Sequence, residues 1–137
     1  MIVGYTVGTF DLFHIGHLKM LNRARKLCDR LIVGVTSEDY MASYKTNPPI
    51  IPLHDRIEII KSLRCVDDVF PVYDLDHAEI CKKYGCSVYF IGDDWKGTEH
   101  FALQEKQILS AGCEVKYLPY TKRISSTKLR KQIKSSE

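Results

Sequence analysis

An α/β fold is predicted for this chain: a mostly parallel five-stranded sheet with helices on both faces, built by one domain over residues 1–137. Three features predict it. Short apolar runs rich in β-branched and aromatic residues alternate with amphipathic stretches of helical spacing, the pattern of βαβ units. The apolar runs are nearly continuous, as in strands covered on both faces. Glycine or another turn residue stands at the ends of several of them. Crossovers in such a fold are right-handed, and ligands sit beyond the carboxyl ends of the strands, where strand order reverses.

Each element follows from local pattern. Residues 2–7 are apolar and β-branched and stop at Gly8, which gives the first strand. Residues 16–28 carry Leu18, Leu21, Ala24 and Cys28 at helical spacing with basic residues between them. The run LIVGVT at 31–36 is the second strand, and 39–44 is a short helix. Pro48, Pro49 and Pro52 make 46–52 a loop. Helical spacing returns at 53–64 through Ile57, Ile60 and Leu63, and a short strand covers 68–72. Asp76, with Glu79 three residues on, opens the next helix as a capping-box pair, and Gly85 ends it. SVYFI at 87–91 is a strand that stops at Gly92. Residues 98–111 are helical up to Gly112, 113–118 form the last strand, and 126–133 the last helix.

Composition narrows the function classes. The chain has 137 residues, 45% of them hydrophobic and 27% charged, which is the balance of a globular protein and not of a disordered one. No apolar run is long enough to cross a membrane, and residues 1–4 (MIVG) lack the basic-then-apolar pattern of a signal peptide, so a cytoplasmic location without a membrane partner is expected. The net charge of +3 is mildly basic, suited to a small anionic ligand and too diffuse to argue for nucleic acid. The cysteines, Cys28, Cys65, Cys81, Cys86 and Cys113, are odd in number and form no Cys-x-x-Cys pair, so buried free thiols are expected in place of disulfides or a zinc site.

The loop after the first strand, GTFDLFHIGH at 8–17, carries the clearest chemistry. Gly8 allows a sharp turn and a close approach of backbone to ligand. The helix that follows offers unpaired N–H groups and a partial positive charge, an anion site. His14 and His17 flank Gly16 and, three apart, share one helical face. Their imidazoles can donate to phosphate oxygens and stabilise charge that develops during phosphoryl or nucleotidyl transfer. The same pair suits zinc, but no cysteine and no adjacent glutamate completes a ligand set.

Three further loops lie at strand ends. In 119–128, Ser125, Ser126 and Thr127 stand at a helix start, where hydroxyls cap the helix and also bind phosphate, with Lys122 and Arg123 as nearby cations; an ordinary capped surface helix would read the same. GDDWKG at 92–97 places Asp94 and Trp95 where a base or ribose could bind, though a solvated turn has the same composition. Lys45 precedes the prolines, where a lysine is ordinarily solvated, and Arg56 at a helix start is ordinarily a surface ion pair.

Taken together, GTFDLFHIGH, GDDW and ISSTK resemble the signatures of the cytidylyltransferase family, part of the wider nucleotidylyltransferase superfamily with its HxGH core. The ten-residue string and GDDW are most similar to bacterial glycerol-3-phosphate cytidylyltransferases, and the resemblance runs through essentially the whole chain. It implies a Rossmann-like nucleotidylyltransferase fold, CTP and a phosphorylated alcohol as substrates, Mg²⁺ as cofactor, and a homodimer. The expected reaction is cytidylyl transfer to sn-glycerol 3-phosphate, giving CDP-glycerol and pyrophosphate for teichoic-acid or capsule synthesis. Alternatives are another phospho-alcohol such as phosphoethanolamine or a polyol phosphate, FMN adenylylation, and a non-catalytic nucleotide-sensing module.

The resemblance also implies roles. His14 and His17 would act on the triphosphate and the transition state, and Lys45 would bridge the acceptor phosphate and the α-phosphate. Gly8, Gly16 and the backbone of Thr9 and Phe10 would line the nucleotide, as would Thr121 and Ile124. Arg123, Ser125, Ser126 and Thr127 would hold the β- and γ-phosphates. Asp94 and Trp95 would lie near the nucleotide, with Asp11 a further carboxylate on the substrate and metal side. Arg56 and Arg64 would lie near the active site and the dimer contact. The metal ligands themselves are not assigned. Three positions depart from the family pattern: Tyr120 stands where an arginine is usual, Arg123 where a glycine is usual, and Cys65 where a tyrosine is usual. Arg123 is therefore expected to supply the guanidinium missing at Tyr120.

Overall fold

A computed structural model describes residues 1–42 and 48–136. In chain order the elements are β1 (Val3–Gly8), α1 (Ile15–Lys26), β2 (Arg30–Thr36), α2 (Glu38–Ala42), α3 (Leu53–Lys61), β3 (Asp68–Val72), α4 (His77–Tyr84), β4 (Val88–Gly92), a single 3₁₀ turn (Asp93–Trp95), α5 (Glu99–Ser110), β5 (Glu114–Leu118) and α6 (Ser126–Ser135). The strands stand in the order β3-β2-β1-β4-β5, and every adjacent pair is parallel. Strand order therefore reverses between β1 and β4, whose carboxyl ends are Gly8 and Gly92.

Alternation along the strands sends neighbouring side chains to opposite faces of the sheet. Leu31, Val33 and Val35 of β2 join Val88, Phe90, Leu21, Ala24 and Ile60 in one buried cluster, roofed by α1 and α3. Ile32, Tyr5 and Tyr89 join Ile80, Phe101 and Ile108 in a second cluster beneath α4 and α5. Each of those side chains is below a tenth exposed, and their removal from water is the main force holding the helices to the sheet.

The sequence placed all five strands and their connecting helices, with ends shifted by a few residues. The Asp76 carboxylate accepts the Glu79 N–H at 3.2 Å and caps α4. Gly85 closes that helix at φ 65°, a left-handed conformation that glycine adopts without strain. The helix expected over 53–64 stops at Lys61. The short helix expected over 39–44 corresponds to α2, Glu38–Ala42, and its last two expected positions lie outside the described residues. The 3₁₀ turn falls within the loop expected at 92–97. All five cysteines are free thiols, four of them buried.

Candidate active site

A cleft of about 600 Å³ opens at the carboxyl ends of β1 and β4 and takes in the first turns of α1 and α6. That volume suits a nucleotide-sized ligand. Its wall includes Gly8, Thr9, Phe10, Asp11, His14, Gly16, His17, Asp94, Trp95, Thr121, Ile124, Ser125, Ser126 and Thr127, so the fold gathers residues from three separate loops.

The two imidazoles are held by backbone. His14 is the N-cap of α1, and its Nδ1 accepts the Gly16 N–H at 3.0 Å. His17 Nδ1 accepts the N–H of His14 at 3.1 Å. A ring nitrogen that accepts from an amide carries no proton, so each neutral ring holds its proton on Nε2. The rings stack at a centroid distance of 3.9 Å, with Phe13 stacked on His17 at 5.2 Å and Phe10 edge-on to it at 5.4 Å. Burial, and then the neighbouring His14, pull the His17 pKa down to about 4; burial lowers that of His14. Both rings are thus neutral near pH 7, with Nε2–H as their remaining donor. The requirement for glycine between them is steric: a Cβ at Gly16 would sit 2.8 Å from His14 Cε1.

Around this pair the backbone is contorted. Phe10 and Leu12 adopt φ of 54° and 49°, the left-handed region that non-glycine residues seldom enter. Conformations of this kind persist only where surrounding contacts over-determine them. Here the residue between them, Asp11, supplies the contacts. Its carboxylate, 1% exposed, accepts the N–H groups of Ile50 and Ile51 at 2.8 and 2.9 Å and the Arg130 guanidinium at 2.5 Å. Its carbonyl oxygen accepts the Ser126 hydroxyl. Burial opposes its charge, but those amides and Arg130 outweigh burial and hold the carboxyl below the usual range.

Three predicted residues are not where the sequence put them. Arg56 is fully buried and does not line the cleft. It donates to the carbonyl oxygens of Ile51, Thr9 and Thr36 and to Glu38, which leaves it a brace behind the β1 loop instead of a substrate ligand or surface ion pair. Arg123 is exposed and absent from the cleft wall, because the turn before α6 carries it outward. Lys45 lies outside the described residues. Asp11 does reach the cleft, but its oxygens are already committed to protein donors. Arg64 is likewise not on the cleft wall.

Sequence reading missed Arg130, which lines the cleft one helical turn beyond Ser126. The recurrence of Ser126 and Arg130 on one face of α6 was the available signal. It also missed the wall beneath α4 and α5, where Tyr89, Phe101, Leu75, Ile91 and Gln104 meet. Gln104 Oε1 is bonded to His77 Nε2 at 3.0 Å, and His77 Nδ1 to the Tyr5 hydroxyl at 2.9 Å, a chain whose inner members, Tyr5 and His77, are fully buried. On the opposite rim, Asp93 accepts the Tyr120 N–H at 3.1 Å and ties two loops together. Burial, and then Asp93, raise the pKa of the adjacent Asp94.

Among the described residues no three of His, Cys, Asp and Glu converge as a metal cage. With Asp11 saturated, Asp94 is the carboxylate left on the cleft wall. Such a donor set fits a magnesium ion carried mainly by substrate phosphates, which needs few protein ligands.

Comparison with known proteins agrees with this geometry. The model of the cytidylyltransferase-like family matches residues 5–132. Glycerol-3-phosphate cytidylyltransferase of Bacillus spizizenii is 36% identical over 131 residues, covering 95% of each chain. FAD synthase of Pyrococcus abyssi is 35% identical, covering 93% of this chain and 86% of its own. Among solved structures, a lipopolysaccharide core biosynthesis protein from Thermoplasma volcanium superposes with a TM-score of 0.71 at 28% identity, covering 88% of this chain and 97% of its own. With its parallel sheet, its imidazole pair at the strand-order reversal and a family match that spans most of its length, the chain belongs to the cytidylyltransferase-like family of nucleotidyltransferases.

Proposed function

We propose that the protein transfers a cytidylyl group from CTP to a phosphorylated alcohol, sn-glycerol 3-phosphate first among them, to give CDP-glycerol and pyrophosphate. The observation that carries this reading is the pair of neutral imidazoles, His14 and His17, each fixed through Nδ1 by a backbone amide and left with Nε2–H as a donor at a helix N-terminus. The similarity to the Bacillus cytidylyltransferase supports the choice of substrates.

In the proposed reaction an oxygen of the acceptor phosphate attacks the α-phosphorus of CTP in line. The new P–O bond forms as the bond to the β-phosphate oxygen breaks, and pyrophosphate leaves with the electron pair. The acceptor oxygen is already anionic near pH 7, so no general base is required. The protein then acts by positioning and by stabilising charge. Two Nε2–H groups donate to phosphate oxygens without being cations themselves. The Ser125 and Thr127 hydroxyls and the free amides of α6, including that of Ser126, receive the terminal phosphates, while the Ser126 hydroxyl stays on the Asp11 carbonyl oxygen. Lys45 would bridge the acceptor and α-phosphates. Magnesium, held by the triphosphate and Asp94, would neutralise phosphate charge.

Further parts of the proposal are a homodimer, a cytoplasmic location and a product destined for teichoic acid or capsule. That no described helix is long and apolar enough to cross a membrane is in keeping with the location.

A second reading, adenylyl transfer to FMN, is favoured by one observation: the aromatic and aliphatic wall of Tyr89, Phe101, Leu75 and Ile91 suits a flat ring better than a small phosphorylated diol. Pyrophosphate release with CTP or ATP against glycerol 3-phosphate, ribitol 5-phosphate, phosphoethanolamine and FMN separates the two. Release with CTP and glycerol phosphate is expected. Release only with ATP and FMN establishes the second reading, and nucleotide binding without release in any pair indicates a sensing module.

A further inference from the structure

The reaction proposed for the cleft leaves the cysteines unused, and they fall into two unlike groups. Cys28 and Cys65 sit in the cluster roofed by α1 and α3, where burial pushes both thiols up and leaves them as small apolar side chains. Cys81, Cys86 and Cys113 meet on the other face of the sheet. Cys81 lies in the last turn of α4, Cys86 just before β4 and Cys113 just before β5. The Sγ atoms of Cys81 and Cys113 stand 2.9 Å apart, although 32 positions separate the two residues in the chain. Sulfurs so close need only a short approach to reach the ~2.05 Å of a disulfide.

The surroundings divide the roles. The Cys113 thiol has two acceptors in reach, Cys81 Sγ and, at 3.0 Å, the Cys86 carbonyl oxygen. The Tyr5 hydroxyl lies 3.4 Å from Cys81 Sγ. A hydrogen bond from Cys86, with others from Cys113 and Tyr5, outweighs burial and brings the Cys81 pKa down to about 6. Burial, and then its bond to Cys81, push the Cys113 thiol up. Cys81 is thus the thiolate near pH 7 and Cys113 a neutral thiol aimed at it, an attacking and a resolving cysteine side by side. Access selects the reagent. Cys81 is 6% exposed and Cys113 3%, and only Cys86 beside them is part-exposed. A folded partner's dithiol cannot reach sulfurs so covered, whereas a molecule of a few atoms can.

We propose that Cys81 and Cys113 are a reversible dithiol–disulfide pair oxidised by small hydroperoxides. The Cys81 sulfur attacks one oxygen of hydrogen peroxide, the O–O bond breaks, and hydroxide leaves and takes up a proton as water. Cys113 then attacks the sulfenic acid on Cys81: the S–S bond forms, the S–O bond breaks, and hydroxide leaves with the Cys113 proton as a second water. The two thiols lose two electrons and the peroxide gains them. The new bond ties the last turn of α4 to the entry of β5, and a dithiol reductant reverses it by exchange. None of this depends on the reaction assigned to the cleft.

The test treats the reduced, full-length protein with a slight excess of hydrogen peroxide, caps remaining thiols with an alkylating reagent and maps the peptides without reduction. Loss of two of the five thiols is expected, with one cross-linked pair, Cys81–Cys113, and recovery of all five in dithiothreitol. Cys113→Ser should stop at a sulfenic acid on Cys81 that dimedone traps. Cys81→Ser should consume peroxide roughly tenfold more slowly or worse, as expected on loss of the attacking thiolate. Cys28→Ser and Cys65→Ser should react like the parent. Mapping of the unmutated protein needs no variant, so the test stands even if a buried serine prevents folding. Native protein that keeps five thiols in peroxide that oxidises its urea-unfolded form overturns the proposal. A main cross-link through Cys28, Cys65 or Cys86 also overturns it, as does parental oxidation of a folded Cys81→Ser variant.

Discussion

Arg56 donates through a single nitrogen, Nη1, to the carbonyl oxygens of both Thr9 and Thr36, at 2.9 and 2.7 Å, and so ties together the loops that leave β1 and β2. Its Nε holds Ile51 O at 2.8 Å and its Nη2 holds Glu38 at 3.1 Å. The side chain is fully buried, and truncation would strand three carbonyl oxygens and a carboxylate at once. Arg56→Ala should therefore cost about 3 kcal/mol in urea denaturation, as expected when one member of a buried charged network is removed. Arg56→Lys should recover little of that, since an ammonium cannot span the same acceptors. A loss within about 0.5 kcal/mol, the range of ordinary surface changes, would show that the brace is dispensable.

His17→Ala removes a donor that the fold takes care to orient, along with the acceptor of the His14 amide. Its kcat should fall roughly a hundredfold or more, the usual effect of deleting one preorganised donor to a developing charge. Far-UV circular dichroism should stay unchanged. A wild-type kcat in a folded variant would remove this imidazole from the mechanism.

Gly16→Ala tests the packing between the two histidines. Alanine is the better helix former, so propensity alone favours the variant. The added Cβ would meet His14 Nδ1 at 3.0 Å and Cε1 at 2.8 Å, and the ring must give way. The expected outcome is a melting temperature near that of the parent with kcat lowered about tenfold, less than for outright loss of a donor. Parental kcat would mean that His14 can move without consequence.

Protonation supplies an independent check. Nitrogen-15 NMR should find Nδ1 of His14 and His17 unprotonated and Nε2 protonated at pH 7, with His17 titrating near 4 and not near 6.5. The linked stability has a definite sign. As pH falls from 6.5 towards 4, the unfolded chain takes up a proton at His17 that the folded chain refuses, so stability declines across that window. The lowered pKa of Asp11 adds stability that is present above its unfolded value and is lost at more acid pH, as the folded carboxyl takes its proton. A His17 resonance that titrates at 6.5 would contradict the buried, amide-fixed ring.

Elements held by local rules were legible from sequence. Asp76 capping α4, Gly85 closing it and the apolar runs of β2 and β4 depend on neighbours within a few residues, and each appears as expected. The first loop was legible as well, since His14, Gly16 and His17 act within one helical turn. What escaped is what depends on distant partners. Arg56 looked like a surface charge because nothing near it in sequence shows that the β1 and β2 loops converge on it. Arg123 and Arg130 are equally basic in sequence, and only the docking of α6 on Asp11 decides which of them faces the cleft.

That docking also has a consequence for the order in which the molecule becomes whole. Asp11 joins Ile50 and Ile51, 39 and 40 positions ahead, to Arg130, 119 positions ahead. Contacts of such separation carry the entropy of closing a long chain and form late. On the ribosome β1 and its left-handed turn emerge well before the guanidinium that balances Asp11. Until then nothing opposes the strain at Phe10 and Leu12 from the far side. The anion-binding end of the cleft is therefore expected to be assembled only once α6 has emerged, and a chain cut before α6 should keep its sheet while losing that end of the site.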